Sequence, residues 1–470
     1  MPPDVLESLN SGDTAWVLAA SALVLLMTPG LAFFYGGMSR SKSVLNMMMM
    51  SFGTIALVSV LWVLYGYSLA FSGDVGNGLI GNLDKAGLKD TLLTASGTSP
   101  ELAFVAFQLM FAIITPALIS GAIADRVKFG AWMVFVGVWV TLVYFPVAHW
   151  VFYFGDTTRT GDGGWLADSV LALDFAGGTA VHINAGMAAL AVALVVGRRV
   201  GWPKEAMRPH NLPFVLLGTA LLWFGWFGFN AGSALGANGQ AAVAFVNTQV
   251  ATGAAALGWI IVEKIRHGKS TTLGIASGAV AGLVAITPAC AAVNPLGAIA
   301  IGLIAGALCC VAVGLKYKLG YDDSLDVVGV HAVGGVTGAL LIGLFATGTV
   351  TGILTPEADG VNGLLMGGGL EQLGRQAVGV VAVGAFSFVA TWIIAKIIDV
   401  TMGLRIPAED EVSGIDQAAH AETAYDLGPA TGGGSGALAA ALSGGLSGGQ
   451  AGGQAGGKQD KPATKVEAEA

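Results

Sequence analysis

Eleven apolar runs, each near the length of a membrane-crossing helix, leave this chain few folds to choose from. They fall at about 16–37, 44–71, 101–123, 129–151, 174–197, 211–231, 241–263, 272–289, 295–315, 327–347 and 371–399. A helix needs about 20 such residues to span a bilayer. Only 11% of the 470 residues are charged, against roughly a quarter in a soluble domain. The runs are continuous rather than alternating, which excludes a β-barrel. The expected fold is an all-α polytopic membrane protein with eleven transmembrane helices over residues 1–402.

Lys and Arg in the short loops set the orientation. Arg40 and Lys42, Arg126 and Lys128, Arg198 and Arg199, Lys264 and Arg266, Lys316 and Lys318, and Arg405 follow the odd-numbered runs. The alternate loops balance Lys85 and Lys89 against Asp74, Asp84 and Asp90, and Arg159 against Asp156, Asp162 and Asp168. The N-terminus is therefore expected outside and the C-terminus in the cytoplasm. Residues 1–14 hold no Lys or Arg, so the first run reads as a true span and not a cleaved signal peptide. The net charge of −8 comes with no basic face or nucleic-acid motif, and no nucleic-acid partner is expected. Cys290, Cys309 and Cys310 sit in apolar runs with no metal or disulfide spacing; no metal or cofactor is expected.

Runs 1–5 end in a Gly-rich helix bearing a histidine, His182, and runs 6–10 end in another bearing His331. Thr115-Pro116 in run 3 is matched by Thr287-Pro288 in run 8. An odd number of spans per half inverts the second half, and inverted repeats place a transporter's site near the midplane between them. Gly302 and Gly306, like Gly334 and Gly338, lie four apart, a spacing that suits close helix packing. Beyond residue 427 the composition turns to Gly, Ala, Ser and Gln; residues 428–470 read as a disordered tail.

Polar residues inside apolar spans are costly, so they mark pathways or buried pairs. A histidine alone in a span is most simply a satisfied core residue. For two, neutral imidazole offers one donor and one acceptor, so facing rings satisfy each other and line a path without net charge. Phe107 and Phe111, with Gln108 beside them, share a face of run 3; Trp226, Phe229 and Ser233 share a face of run 6. Such rings are either packing residues or a cation site, since aromatic faces attract cations. Asp174 reads either as a helix cap or as a buried anion favouring a cation outside.

These stretches resemble the ammonium transporter (Amt/Mep/Rh) family, bacterial Amt type, over about residues 14–427. The resemblance rests on Phe33-Phe34-Tyr35-Gly36-Gly37, Phe107-Gln108 with Phe111, Ala148-His149, residues 174–184, residues 225–233, Thr287-Pro288-Ala289-Cys290, Asp326 to His331, and Gly403 to Pro407. It implies a homotrimer in the cell (inner) membrane, one pore per subunit, with ammonium or ammonia as substrate and methylammonium as an analogue. Phe107 and Ser233 map to the outer recruitment site, Phe111 and Phe229 to the gate, and His182 and His331 to the pore. Asp174 maps to the buried carboxylate, and Trp226, Gln108 and Asp326 to supporting places. The family usually has Trp at the fifth place of Ala-His-x-x-Trp; here Phe152 stands there, with Trp150 and Trp165 near, and any of the three rings could complete the site. Residues 403–427 resemble the family's cytoplasmic regulatory segment, which contacts PII-type signalling proteins.

An aromatic site above a histidine-lined apolar pore would penalise every bare ion by desolvation. Ammonium escapes by losing its proton; potassium cannot. The expected activity is recruitment, deprotonation and conduction of ammonia, and not enzymatic. The alternative is an ammonium sensor of the same fold.

Overall fold

The computed structural model describes residues 3–155, 163–205, 207–353 and 360–425. Among them, ten helices are long and apolar enough to cross a membrane. They are α1 (Ser11–Met38), α2 (Val44–Phe71), α3 (Glu101–Ile123), α4 (Phe129–Phe152), α5 (Gly178–Val196), α6 (Leu212–Gly232), α7 (Gly239–His267), α9 (Pro295–Leu319), α10 (Val328–Phe345) and α11 (Glu371–Met402). Between α7 and α9 lies α8 (Thr272–Ile286), apolar but of only 15 residues. At 1.5 Å per residue it reaches about 22 Å, short of the ~30 Å hydrocarbon core. The predicted run 272–289 overshoots because Pro288 has no N–H to continue a helix, and the chain turns from Thr287 onward.

Several spans begin on a side-chain cap. The Asn10, Asn211, Asn238 and Asn294 amide oxygens, and the Thr271 hydroxyl, accept backbone N–H groups of the first turns of α1, α6, α7, α9 and α8. Such caps satisfy donors that the helix leaves unpaired. Leu64, Leu142, Val381 and Ile397 are exposed on the outer faces, as expected of side chains that meet lipid rather than water.

The two halves repeat. α1 lies along α6, and α5 packs against α10; α2 packs on α4 as α7 does on α9. With five helices in each half, the chain runs through the second in the opposite sense, the arrangement of an inverted repeat. α11 lies outside this pair of halves, across α4, α5 and α10.

Two glycines let α5 and α10 cross at the centre. Gly186 and Gly335 each come four residues, about one turn, after a histidine. A Cβ on Gly186 would stand 2.4 Å from the backbone nitrogen of Ala332, and one on Gly335 2.9 Å from Ile183 Cγ1. Neither position admits a side chain at this separation, so the backbones approach closely enough for the histidine rings to meet.

The basic residues of the predicted cytoplasmic loops converge at one end. Arg126, fully buried, donates to Ser324 Oγ at 2.6 Å and pairs with Asp322 at 3.6 Å; Arg199 reaches the same carboxylate at 2.6 Å. Burial pushes the Asp322 carboxyl up, but hydrogen bonds from Arg199 and the charge of Arg126 outweigh it and hold the group below the usual carboxylate range. The segment after α11 is fastened to this end through α12 (Ala408–Ser413) and α13 (Ile415–His420). Glu411 pairs with Arg405 at 2.7 Å and accepts Val200 N–H at 2.7 Å; Asp416 accepts Leu45 and Asn46 N–H at 3.0 and 2.8 Å. The predicted tail, 428–470, lies outside the described residues.

Candidate functional site

A cavity of about 740 Å³ opens at the end of the molecule opposite Arg126 and Arg199. Phe107, Gln108 and Phe111 line it from α3, Phe152 from the end of α4, Asp174 from the loop before α5, and Ser233 from the end of α6. The Ser233 hydroxyl donates to Phe229 O at 2.8 Å, leaving its oxygen lone pairs as acceptors. Phe107 meets Phe111 edge-on, centroids 4.9 Å apart, and the Phe111 and Phe229 rings lie 4.3 Å apart. The last pair closes the bottom of the cavity.

Of the three rings that could complete a cation site, Phe152 alone lines this cavity. Trp150 turns away: its indole N–H donates to Leu79 O at 2.8 Å and its ring packs on Phe386 and Trp165. Trp165 sits behind it against the 72–100 loop, its backbone N–H on Gly78 O. Of the three alternatives, Phe152 is the one at the cavity wall; Trp150 is held by that loop and by α11, and Trp165 by that loop.

Below the rings the path narrows to two hollows of about 10 Å³ each, the least that admits one water. The upper is walled by Met27, Leu31, Phe34, Leu222 and Trp226, and both reach His331. His182 and His331 face each other with Nδ1 atoms 3.3 Å apart and rings inclined by 24°. One proton fits between two Nδ1 atoms, so one ring donates and the other accepts. Opposite tautomers follow for a neutral pair. His182 Nε2 has no hydrogen-bond partner in the protein. Trp226 stacks on His182 at 5.3 Å, and its N–H donates to Thr287 Oγ1 at 2.8 Å. That bond fixes the indole and links the Thr-Pro motif of the second half to the pore.

His182 and His331 each stand in a π-helical turn, Gly178–Ile183 and Val328–Ala332, at the start of their helices. Asp174 holds the first turn. Its carboxylate accepts the N–H groups of Gly177, Gly178 and Thr179 at 2.8, 2.7 and 2.7 Å, and the Thr179 hydroxyl. Of its two readings, the cap is the one these bonds describe. Asp323 does the same for the second turn, accepting Val327 and Val328 N–H at 3.1 and 2.8 Å. Asp174 precedes His182 by eight residues, and Asp323 precedes His331 by the same eight. Asp326, expected in a supporting place, lines the lower hollow with His331 and pairs with Lys316 at 2.6 Å; the positional counterpart of Asp174 is Asp323. Burial pushes the Asp323 carboxyl up to about 6, with Lys316 opposing.

Fold and site together define a class: a polytopic helical membrane protein with an outer cavity, a pair of tilted phenylalanine rings at its base and narrow histidine-lined hollows beneath them. Within that class the chain belongs to the ammonium transporter family. The profile of the Ammonium Transporter Family matches residues 15–425. An ammonium transporter of Mycobacterium tuberculosis is 60% identical over 447 residues, covering 90% of this chain and 92% of its own. One of Bacillus subtilis is 48% identical over 421 residues, covering 89% and 99%. Among solved structures, Mep2 of Candida albicans superposes with a TM-score of 0.79 at 38% identity, covering 87% of this chain and 89% of that one. A protein titled Sensor Amt Protein gives 0.79 at 31% identity, covering 87% and 98%.

Proposed function

We propose that the chain takes up ammonium by binding the cation in the outer cavity, removing its proton near Phe111 and Phe229, and passing ammonia along His182 and His331. The supporting observation is the buried imidazole pair directly beneath an aromatic plug. A bare cation entering a hollow of about 10 Å³ leaves its water behind, at a cost of several kcal/mol. Two imidazoles that share one bond offer single donors and acceptors, enough for ammonia and too little for an ion. The cavity supplies the opposite environment: ring faces worth roughly 0.5–2 kcal/mol to a cation and the Ser233 oxygen as an acceptor. On this reading the cavity faces outward, the arginine-rich end faces the cytoplasm, three copies form the working unit, and residues 403–427 receive a PII-type regulator.

Saturable uptake of labelled methylammonium into proteoliposomes, displaced by ammonium, tests the reading. The solved sensor of the same fold makes binding without uptake the competing result, and that outcome would replace transport by sensing. Phe152 refines the test. Because Trp is the stronger cation partner, Phe152→Trp is expected to lower the KM for methylammonium several-fold at most, and Phe152→Leu to raise it. Trp150→Leu and Trp165→Leu are expected to leave KM unchanged, since neither ring lines the cavity. A KM shift at either Trp with none at Phe152 would reverse the assignment.

A further inference from the structure

One cluster at the rim of the cavity has no part in the scheme above. Glu101, Phe104, Phe107 with Gln108, and Phe111 follow one another along α3 at spacings of three and four, and all line the cavity. Glu101 is the top rung, about 9 Å above Phe107 at 1.5 Å per residue. Its side chain is only 5% exposed. It accepts the Tyr67 hydroxyl at 2.6 Å and the Thr94 hydroxyl, and it pairs with the Lys85 ammonium. Lys85 Nζ also stands 5.7 Å from the centre of the Tyr67 ring.

A lysine head is a primary alkylammonium, in effect methylammonium on a tether. A carboxylate and an aromatic face are the groups that bind such a cation. The lysine arrives from the 72–100 loop, with its side chain 35% exposed, and the loop is anchored without that side chain. Lys85 N–H donates to Ser68 Oγ at 3.0 Å, Ser68 Oγ to Asn82 O at 2.9 Å, and Gly81 N–H to Leu69 O at 2.8 Å. The charge balance matters too. Among the described residues, Lys85 and Arg375 are the basic ones lining the cavity, and Glu101 and Asp174 the acidic ones. Asp174 is turned onto backbone N–H groups, which leaves Glu101 as the carboxylate open to a side-chain cation.

We infer that Glu101 and Tyr67 form an outer cation site at the rim, and that Lys85 fills it as a tethered competitor that sets the affinity for ammonium. This rests on the cavity being the ammonium entrance. The test is methylammonium uptake by proteoliposomes of Lys85→Met, Lys85→Arg, Glu101→Gln and the Lys85→Met/Glu101→Gln double variant. Lys85→Met is expected to lower KM by roughly three- to tenfold with maximal rate near wild type, the effect of removing one positive charge from a partly screened mouth. Glu101→Gln, which leaves that charge uncompensated, is expected to raise KM by a similar factor. Lys85→Arg should match wild type, and the double variant should return toward it. If the pair merely staples the loop, Lys85→Met and Glu101→Gln will lose uptake and thermal stability together, and the proposal is overturned; an unchanged KM in Lys85→Met overturns it as well. Should Glu101→Gln fail to assemble, Lys85→Met, which removes no buried group, decides alone. Absence of uptake by the wild type would refute the transport reading instead, and calorimetric titration of wild type and Lys85→Met with methylammonium would then test the rim site: tighter binding by the variant supports it, equal binding refutes it.

Discussion

Replacing His182 by aspartate is expected to admit potassium to a path that otherwise refuses it. In the wild type the upper hollow is walled by aliphatic and aromatic side chains and by two imidazoles that spend a nitrogen each on one another. A cation there has lost its water and found no counter-charge. A carboxylate at position 182 supplies one. Two unit charges 4 Å apart attract by about 4 kcal/mol at an effective dielectric of 20, which is of the order of the several kcal/mol that desolvation costs. An advantage of 4 kcal/mol is nearly a thousandfold in occupancy, enough to move potassium from excluded to conducted. The substitution also removes one ring from the stack formed with Trp226 and Phe229, widening the path. Potassium flux through His182→Asp proteoliposomes, compared with wild type, is the check. A variant that still conducts ammonium yet stays tight to potassium would place selectivity elsewhere than in the pair.

Asp174→Ala is expected to lose more than nine-tenths of uptake while the protein still assembles. The carboxylate takes three backbone N–H groups at 2.7–2.8 Å and a hydroxyl at the head of the turn that holds His182. Hydrogen bonds to a charged acceptor are worth roughly 1.5–3 kcal/mol each, and alanine leaves these donors open, with the longer Ala180 N–H contact at 3.3 Å as well. The turn would relax, and His182 with it, although Trp226 still covers one face of the ring. Asp174→Asn keeps one acceptor oxygen and is expected to fall between alanine and wild type. That order, measured as methylammonium uptake against the amount of assembled protein, marks Asp174 as a positioning residue. Near-normal uptake by Asp174→Ala would show that the turn holds its shape without the cap.

The spans were legible because each is a long apolar run, and lipid on one side with protein on the other leaves such a helix apolar all round. The candidate site was legible where an ionisable ring stood inside such a run, as His182 and His331 do. What could not be read depends on three-dimensional placement. Trp150 and Phe152 are neighbours in sequence, but a helix turns each residue about 100° from the last, and only one of the two can face the cavity. Asp326 opens the second histidine motif in the sequence, yet it is Asp323 that caps the turn bearing His331. Asp323 lies three residues earlier, beside Asp322, and only its eight-residue spacing to His331, the same as from Asp174 to His182, distinguishes it in the sequence. The shortness of α8 was hidden because Thr287 to Val293 is almost as apolar as the helix it follows. Glu101 and Lys85 were invisible as a pair, since nothing local joins a loop lysine to the first residue of α3.

In the proposed mechanism no bare cation crosses the histidine-lined segment, so ammonium passes only by giving up its proton. The most direct measurement sets ammonium and potassium against one another in the same wild-type proteoliposomes, under equal inward gradients and with the membrane potential clamped. Saturable accumulation of ammonium is expected, with a potassium flux no greater than in liposomes without protein. A potassium flux that saturates, competes with ammonium and disappears when the path is blocked would contradict it, because an ion that cannot lose a proton would then have crossed the pair intact.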